Sequence, residues 1–214
     1  MKYSKMALII VSILLSMLIA LNGMFCISLW VCLHFVNGGF CKPLASPERQ
    51  LRMNTLSAAQ SWIGTAEGSS EHQQILQIYN SHEPLARGYE VKTSDNWCAA
   101  FGSSVAIIQN LTGIVPTECG CERQIDLWKS MDRWEEKDTY LPLPGDYIYY
   151  NWDQSVIPAD NTGWSDHVGI VVGTAGPAIK VIEGNRNDSV TYRVIFRWDY
   201  RIRGYGLPDY ASIG

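Results

Sequence analysis

The chain of 214 residues is long enough for one ordinary domain with additional segments, and its 47% hydrophobic content supplies a sizeable core. A net charge of −4 gives no electrostatic basis for binding nucleic acid, so no nucleic-acid partner is expected. The six cysteines are spread unevenly, unlike the dense pattern of a small disulfide-stapled scaffold.

Residues 1–36 are predicted to be an N-terminal signal anchor. Lys2 and Lys5 precede an almost wholly apolar stretch over residues 6–21, and apolar character resumes over 24–36. A transmembrane helix needs about 20 apolar residues, and the preceding lysines place the amino terminus in the cytoplasm. The sequence therefore predicts a single-pass protein of the cell membrane with an extracytoplasmic body. A cleaved signal peptide, which would release a secreted body, is the alternative.

A linker over residues 37–53, rich in glycine and proline, is predicted to join the anchor to a globular domain over 54–214. The domain should open with a helix that begins near residue 54 and ends at Gly64. Ser70, followed three residues later by a glutamine, is the pattern of a capping box that opens a second helix. His72 lies on the polar face of that helix and is expected at the surface.

Residues 97–110 are predicted to form the central helix, with a cysteine in its first turn. Asp95 and Asn96 are types that cap helices, because a side-chain oxygen accepts an unpaired backbone N–H. A thiol in the first turn lies at the positive end of the helix dipole, which lowers its pKa and raises the thiolate fraction. Cys98 is therefore a candidate nucleophile, and the alternative is a buried structural cysteine.

The next segment contains Cys119-Gly120-Cys121. A one-residue gap makes a mutual disulfide strained, and no nearby histidine or second cysteine pair completes a zinc site. Both cysteines are therefore interpreted as ordinary structural thiols. A short helix over residues 125–134 should follow.

Several strands are predicted in the C-terminal half. An aromatic, strand-favouring run over residues 147–150 follows a Pro-Gly-Asp turn. Along residues 165–173, alternation puts His167 and Gly169 on one face, and Gly169 leaves space beside the imidazole for a neighbouring backbone or helix. The further strands are expected at 179–183, 190–196 and 201–205.

This order of elements is that of a cysteine hydrolase: a helix with a thiol, a strand with an imidazole, and a neighbouring strand with a carboxylate or amide. His167 would take the thiol proton. Glu183 or Asn185 would hold the imidazole in the useful tautomer, and both can face one side if their strand continues through Gly184. Each residue also has a simpler explanation, such as a hydrogen-bonded strand histidine or a turn carboxylate.

Four blocks, in the same order along the chain, resemble the signature blocks of CHAP domains, the cysteine, histidine-dependent amidohydrolases/peptidases. One such block is weak evidence, whereas four in order are specific, and the resemblance extends over roughly residues 56–211. The blocks are residues 96–101 (Asn-Trp-Cys-Ala-Ala-Phe), 144–149 (Pro-Gly-Asp-Tyr-Ile-Tyr), 166–171 (Asp-His-Val-Gly-Ile-Val) and 182–185 (Ile-Glu-Gly-Asn).

The resemblance implies an α+β, papain-like fold in which N-terminal helices pack on an antiparallel β-sheet. It implies that Cys98 is the nucleophile, His167 the general base and acid, and Glu183 the third member of the triad. Asn185 matches a further active-site position and would share the orienting role. An oxyanion hole would come partly from the backbone N–H of Cys98, with the Asn96 side chain as a second candidate donor.

The family cuts amide bonds in peptidoglycan, either between the sugar and the stem peptide or within the peptide cross-links. Peptidoglycan is therefore the expected substrate, and the membrane and other cell-envelope proteins are the expected partners. Some members bind calcium in an acidic loop before the cysteine. The corresponding loop here, residues 89–95, carries few carboxylates and one lysine, so no metal or cofactor is expected.

The related NlpC/P60 endopeptidases usually end their triad with a second histidine or a polar residue, so the Glu-Gly-Asn sequence favours the CHAP interpretation. Two other functions stay open at this point. One is a papain-like acyltransferase or transglutaminase-like enzyme that uses the same nucleophile. The other is a non-catalytic wall-binding scaffold that has kept the fold.

Overall fold

A computed structural model describes residues 46–152 and 164–213. Within these residues the protein is α+β, with helices on an antiparallel sheet, which confirms the predicted class. The helices are α1 (Ser46–Gln60), α2 (Ser70–Asn80), α3 (Cys98–Ile108) and α4 (Cys121–Ser130). The strands are β1 (Trp134–Glu135), β2 (Tyr147–Tyr150), β3 (His167–Ala175), β4 (Ala178–Glu183), β5 (Thr191–Phe196) and β6 (Ile202–Gly206).

The predicted signal anchor over residues 1–36 lies outside the described residues. In the described part of the chain, every helix is too short or too polar to cross a bilayer. Helix α1 begins at Ser46, earlier than the predicted start near residue 54. Pro47 lies in the predicted linker, but the structure places it in the first turn of α1. Proline is tolerated there because a backbone N–H at this position would have no acceptor within the helix.

The sheet has the strand order β1-β6-β2-β3-β4-β5, and all neighbours are antiparallel. Strand β3 follows the predicted alternation. Val168 and Ile170 belong to the main core with the helices, whereas Val171 belongs to a smaller core on the opposite face. The strand therefore separates two apolar layers, and His167 and Gly169 share the face of Val171.

Helix α3 is buried along most of its length because its small residues allow close packing. A Cβ on Gly102 would lie 3.0 Å from the ring of Tyr147, whose hydroxyl donates to the Gly102 carbonyl at 3.0 Å. The buried Ser103 and Ser104 hydroxyls donate to the carbonyls of Glu118 and Ile75. The predicted central helix is thus fixed between the sheet and the other helices, which fixes the position of its first residue, Cys98.

The aspartate of the Pro-Gly-Asp block has a structural role. Asp146 is almost fully buried and accepts from Arg52 of α1 at 2.9 Å, from the Tyr140 hydroxyl at 2.7 Å and from the Leu143 N–H at 2.8 Å. Arg52 also donates to the Pro144 carbonyl at 2.9 Å. A buried ion pair needs such additional hydrogen bonds to offset its desolvation. The block therefore ties α1 to the start of β2.

Two local predictions in α2 are wrong. The N-cap is Ser69 rather than Ser70, and its hydroxyl accepts the backbone N–H of His72 at 3.1 Å. His72 is fully buried, not exposed, because Trp97 covers it with 4.5 Å between the ring centroids. Its Nδ1 accepts the Gly68 N–H at 3.0 Å. The covering residue lies far along the chain, so the polar helix pattern could not reveal it.

Candidate active site

Cys98 lies in the first turn of α3, as predicted, and is its first residue, one position after the predicted start of the helix. The cap in front of it differs from the prediction. Trp97 occupies the N-cap position and makes no side-chain cap bond. Asp95, a predicted cap, instead accepts the Lys92 N–H and the Tyr89 hydroxyl, each at 2.8 Å. The backbone N–H groups at the start of α3 are therefore not capped by a side chain of Asp95 or Trp97. The Cys98 side chain is only 4% exposed.

His167 is the first residue of β3, and Glu183 is the last residue of β4. The imidazole Nε2 lies 3.2 Å from Glu183 Oε2, and the Glu183 side chain is completely buried. Antiparallel pairing of β3 with β4 brings the two side chains together. Because Nε2 faces Glu183, Nδ1 is the ring nitrogen left for the thiol. The predicted contact between base and orienting carboxylate is present in the structure.

Gly169 makes this contact sterically feasible. A Cβ at this position would lie 2.4 Å from Val181 Cγ1, 2.8 Å from Glu183 Cγ and 2.9 Å from the Ile182 carbonyl oxygen. No side chain fits there without separating β3 from β4. The prediction that this glycine leaves space for a neighbouring backbone is confirmed.

Sequence reasoning missed a second partner of Glu183. Arg193 on β5 donates from Nε to Glu183 Oε1 at 2.6 Å, and its guanidinium lies 4.2 Å from the centroid of the Trp152 ring. Arg186 Nε is 3.7 Å from Glu183 Oε2. The β4–β5 register pairs Val181 with Arg193, so the arginine shares a sheet face with Glu183. A sequence-based prediction that β4 pairs with β5 in this register would have placed Arg193 beside Glu183.

Asn185 does not orient the imidazole in this structure. Strand β4 ends at Glu183 rather than continuing through Gly184, and Asn185 has a positive φ of 55°. Its Nδ2 donates to the Oδ1 of Asn96 at 3.3 Å. The structure thus brings Asn96 and Asn185 together beside the site, whereas the residue that contacts His167 is Glu183.

The electrostatics of the site favour a thiolate–imidazolium pair. The hydrogen bond from the Cys121 thiol holds the pKa of Cys98 well below its usual value, and the charge of His167 acts in the same direction against burial. Burial lowers the pKa of His167, but the Cys98 thiolate and Glu183 outweigh it and raise that pKa to about 10. Burial likewise opposes ionisation of Glu183, whereas His167 and Arg193 lower its pKa overall. A thiolate in this state is the nucleophilic form.

Cys121 is the unexpected member of this cluster. Its Sγ lies 3.6 Å from Cys98 Sγ, and its own pKa is raised well above the usual range, because it shares its proton with Cys98 and is buried. The sequence suggested only a structural thiol at this position. The nearby Cys119 instead contacts Glu118 and Arg87, each at 3.4 Å.

A cleft of about 260 Å³ opens onto the reactive groups. In it the Asp166 carboxylate accepts the Trp152 N–H at 2.9 and 3.1 Å. Across residues 46–152 and 164–213, no three His, Cys, Asp or Glu side chains are grouped as metal ligands would be. The cleft is lined by Asn96, Cys98, Trp152, Asp166, His167 and Asn185.

The chain is similar to known proteins only at the level of distant structural likeness. No known family and no curated protein matches the chain. Two solved structures are distantly similar to it. NlpC1 from Trichomonas vaginalis is 13% identical with a TM-score of 0.43, and the match covers 80% of this chain and 48% of that one. Ly7917, solved with the hydrolysis product of MDP, is 12% identical with a TM-score of 0.43, covering 73% of this chain and 62% of that one. The chain thus spans about half to three fifths of their lengths.

Proposed function

We propose that the protein is a peptidoglycan hydrolase that cleaves amide bonds with the Cys98 thiolate. The observation that carries the proposal is the convergence of three distant segments: a buried cysteine at a helix start, a strand imidazole, and a buried carboxylate 3.2 Å from that imidazole. The lowered pKa of Cys98 and the raised pKa of His167 add the charge state that a cysteine hydrolase needs at neutral pH.

In the proposed mechanism, the Cys98 thiolate attacks the carbonyl carbon of the scissile amide. The negative charge moves to the carbonyl oxygen, where the Cys98 backbone N–H at the start of α3 is available, since the first helical N–H groups have no intrahelical acceptor. Protonated His167 then gives its proton to the leaving amine, and a thioester forms. Neutral His167 next takes a proton from water, which attacks the thioester and releases the carboxylic acid.

Three further side chains would support these steps. Glu183 holds Nε2 of His167 and stabilises its charged form. The Oδ1 of Asn96 is engaged by Asn185, which leaves the Asn96 amide nitrogen as the second donor proposed for the oxyanion. Asn185 therefore acts in this proposal on Asn96, not on the imidazole.

The choice of peptidoglycan as substrate rests on the four CHAP-like blocks. In this proposal the chain is papain-like, with the domain over residues 54–214 outside the cell membrane. Residues 1–36 anchor it there, and the predicted linker over 37–53 is shortened to the residues before Ser46, because α1 belongs to the domain. The body is secreted instead if the anchor is cleaved. The bond cut is either that between the sugar and the stem peptide or one within the stem and its cross-links.

The test is digestion of purified peptidoglycan by the full-length protein in mild detergent, with the released fragments identified by mass spectrometry. We expect wild type and Cys119→Ala to release fragments with new free termini. Cys98→Ala should keep its circular dichroism spectrum and release none, because the nucleophile is gone. Equal digestion by Cys98→Ala would refute the proposal. Wall binding without release by wild type would point to a scaffold, and new amide or ester products to an acyltransferase.

A further inference from the structure

Two cysteine thiols meet in the site, although the proposed hydrolysis needs only one. Cys98 and Cys121 are the first residues of α3 and α4, and their sulfurs lie 3.6 Å apart. Cys98 lines the cleft, whereas Cys121 is not among the lining residues and is 7% exposed. Both residues are largely buried, but only Cys98 is reached from the cleft, and the Cys121 sulfur lies next to it.

We propose that Cys98 and Cys121 form a reversible disulfide when the site meets a peroxide, and that this bond is a redox modification site of the protein. The supporting geometry is the contact between two buried sulfurs, of which one, that of Cys98, belongs to a residue that lines the cleft. The consequence for activity rests on the hydrolase function proposed above, whereas formation of the bond does not.

The two thiols differ in a way that suits this chemistry. The hydrogen bond between the sulfurs lowers the pKa of Cys98 and raises that of Cys121, so Cys98 is the thiolate and Cys121 the S–H donor. Oxidation by peroxide follows thiolate character and access. Once Cys98 carries a neutral sulfenic acid, the negative charge that kept the proton on Cys121 is gone, and Cys121 becomes the resolving thiol.

The reaction balances in two steps. The Cys98 thiolate attacks one oxygen of hydrogen peroxide, the O–O bond breaks, and the departing hydroxide takes a proton to become water. Cys98 is thereby oxidised to the sulfenic acid and the peroxide is reduced. The Cys121 sulfur then attacks the Cys98 sulfur, the S–O bond breaks, and the hydroxide leaves with the Cys121 proton as a second water.

A disulfide requires the two sulfurs to move closer together than they are in the reduced protein. A disulfide has a sulfur–sulfur distance of about 2.05 Å, so the sulfurs must approach by about 1.5 Å from their present separation. Rotation about χ1 is restricted inside a helix by the preceding turn. Both cysteines are in first turns, where no preceding turn exists. Side-chain rotation can therefore contribute most of the movement.

Cys119 provides a matched control two residues from Cys121. Its Sγ contacts Glu118 and the Arg87 guanidinium rather than Cys98. Burial raises its pKa, so it should be a slow target for peroxide. A serine at this position removes a neighbouring thiol and leaves the pair of sulfurs untouched.

The experiment uses reduced full-length protein in mild detergent as wild type, Cys119→Ser and Cys121→Ser. Each is treated with hydrogen peroxide, the remaining thiols are alkylated, and the chain is cut by trypsin and by a protease specific for glutamate. Cleavage after Lys92, Glu118 and Glu122 separates residues 93–118, which carry Cys98, from residues 119–122. A disulfide is then read as the two peptides joined, lighter by two hydrogen atoms than the pair of free thiols.

We expect the joined species in wild type and Cys119→Ser, and its loss in Cys121→Ser, where dimedone should instead label a sulfenic acid on Cys98. Absence of the species from Cys119→Ser, or its persistence in Cys121→Ser, would overturn the proposal. The Cys119→Ser result stands even if Cys121→Ser fails to fold, which circular dichroism will report.

Activity is measured in the same samples. Oxidised wild type and Cys119→Ser should lose fragment release and regain it fully with dithiothreitol, whereas Cys121→Ser should not recover, because its sulfenic acid oxidises further. Full activity in a sample whose peptides are joined would show that the bond does not block the nucleophile, and this part of the proposal would fall. If no hydrolysis occurs at all, the proposed function fails while the peptide mapping still decides the disulfide.

Discussion

Replacing Gly169 with alanine tests the steric basis of the site. The added methyl group would lie 2.4 Å from Val181 Cγ1 and 2.8 Å from Glu183 Cγ, and 2.9 Å from the backbone oxygen of Ile182. Val181 Cγ1 is a terminal methyl, but it belongs to a buried β-branched side chain whose χ1 is restricted, and the other two atoms are a mid-chain carbon and a backbone oxygen. The clash therefore has to be relieved by moving β4 away from β3, which moves the Glu183 carboxylate with it.

The expected cost of Gly169→Ala is about 1–3 kcal/mol, which is the usual range for one extra methyl group in a packed core. In a domain of this size, 1 kcal/mol lowers the melting temperature by about 2–4 °C, so a fall of about 2–12 °C is expected. Gly173→Ala is the matched control. It lies on the same strand, and its added methyl has no neighbour within 4 Å. Its melting temperature should be unchanged or slightly raised.

Thermal unfolding followed by circular dichroism measures the difference between the two variants. Fragment release from peptidoglycan supplies the second measurement, since displacement of Glu183 should reduce kcat/KM in Gly169→Ala and leave Gly173→Ala active. If both variants melt at the same temperature, the close approach of β4 to Gly169 is not a constraint on the fold, and the steric argument is refuted.

Three further substitutions test the charges around the site and the core. In the wild type, the high-pH limb of the kcat/KM profile should report deprotonation of His167 near pH 10. In Glu183→Gln this limb should move to lower pH, because an amide cannot stabilise the imidazolium. An unmoved limb would contradict the role of Glu183. Arg193→Gln removes a charge-assisted hydrogen bond to Glu183 that contributes about 1.5–3 kcal/mol to stability, so the melting temperature should fall by about 3–12 °C. The less firmly held carboxylate should also lower kcat with little change in KM, while a change confined to KM would indicate substrate contact instead. Burial lowers the pKa of His72, so the unfolded chain binds protons more readily and stability should fall as pH drops below about 6.5. Urea unfolding at pH 5 and pH 7 measures this change in the free energy of unfolding. His72→Phe should reduce the difference between the two pH values, although it loses the hydrogen bond to Gly68 at both. An unchanged difference would show that other groups cause the pH dependence.

Local patterns predicted those parts of the fold that depend on neighbours in sequence. Alternation along β3 placed Val168 and Val171 in different cores, because successive strand side chains point to opposite faces. The same alternation gave His167 and Gly169 a common face, and the space expected at Gly169 is the one that β4 occupies. In each case the evidence lay within a few residues of the feature.

The pattern failed at Asn185 because a distant packing contact decides where β4 ends. A Cβ on Gly184 would lie 2.6 Å from the Cβ of Phe101 and 3.0 Å from the Trp97 ring. The glycine therefore marks the place where α3 presses on the chain, and after it Asn185 takes a positive φ. Two residues of one strand would share a face, but the strand stops after Glu183. The identity of the orienting group thus follows from the packing of α3.

The contact between Cys121 and Cys98 could not be predicted from the sequence for the same reason. From the sequence, the first pairing to consider is a disulfide between Cys119 and Cys121, and a one-residue gap makes that bond strained. The structure instead gives each cysteine a partner from elsewhere in the chain: Cys119 contacts Arg87, and Cys121 contacts Cys98. Because the start of α4 is held against the start of α3, two thiols meet in the candidate active site. Sequence spacing can therefore exclude a local disulfide, whereas the pairing of Cys98 with Cys121 depends on helix packing that only the fold supplies.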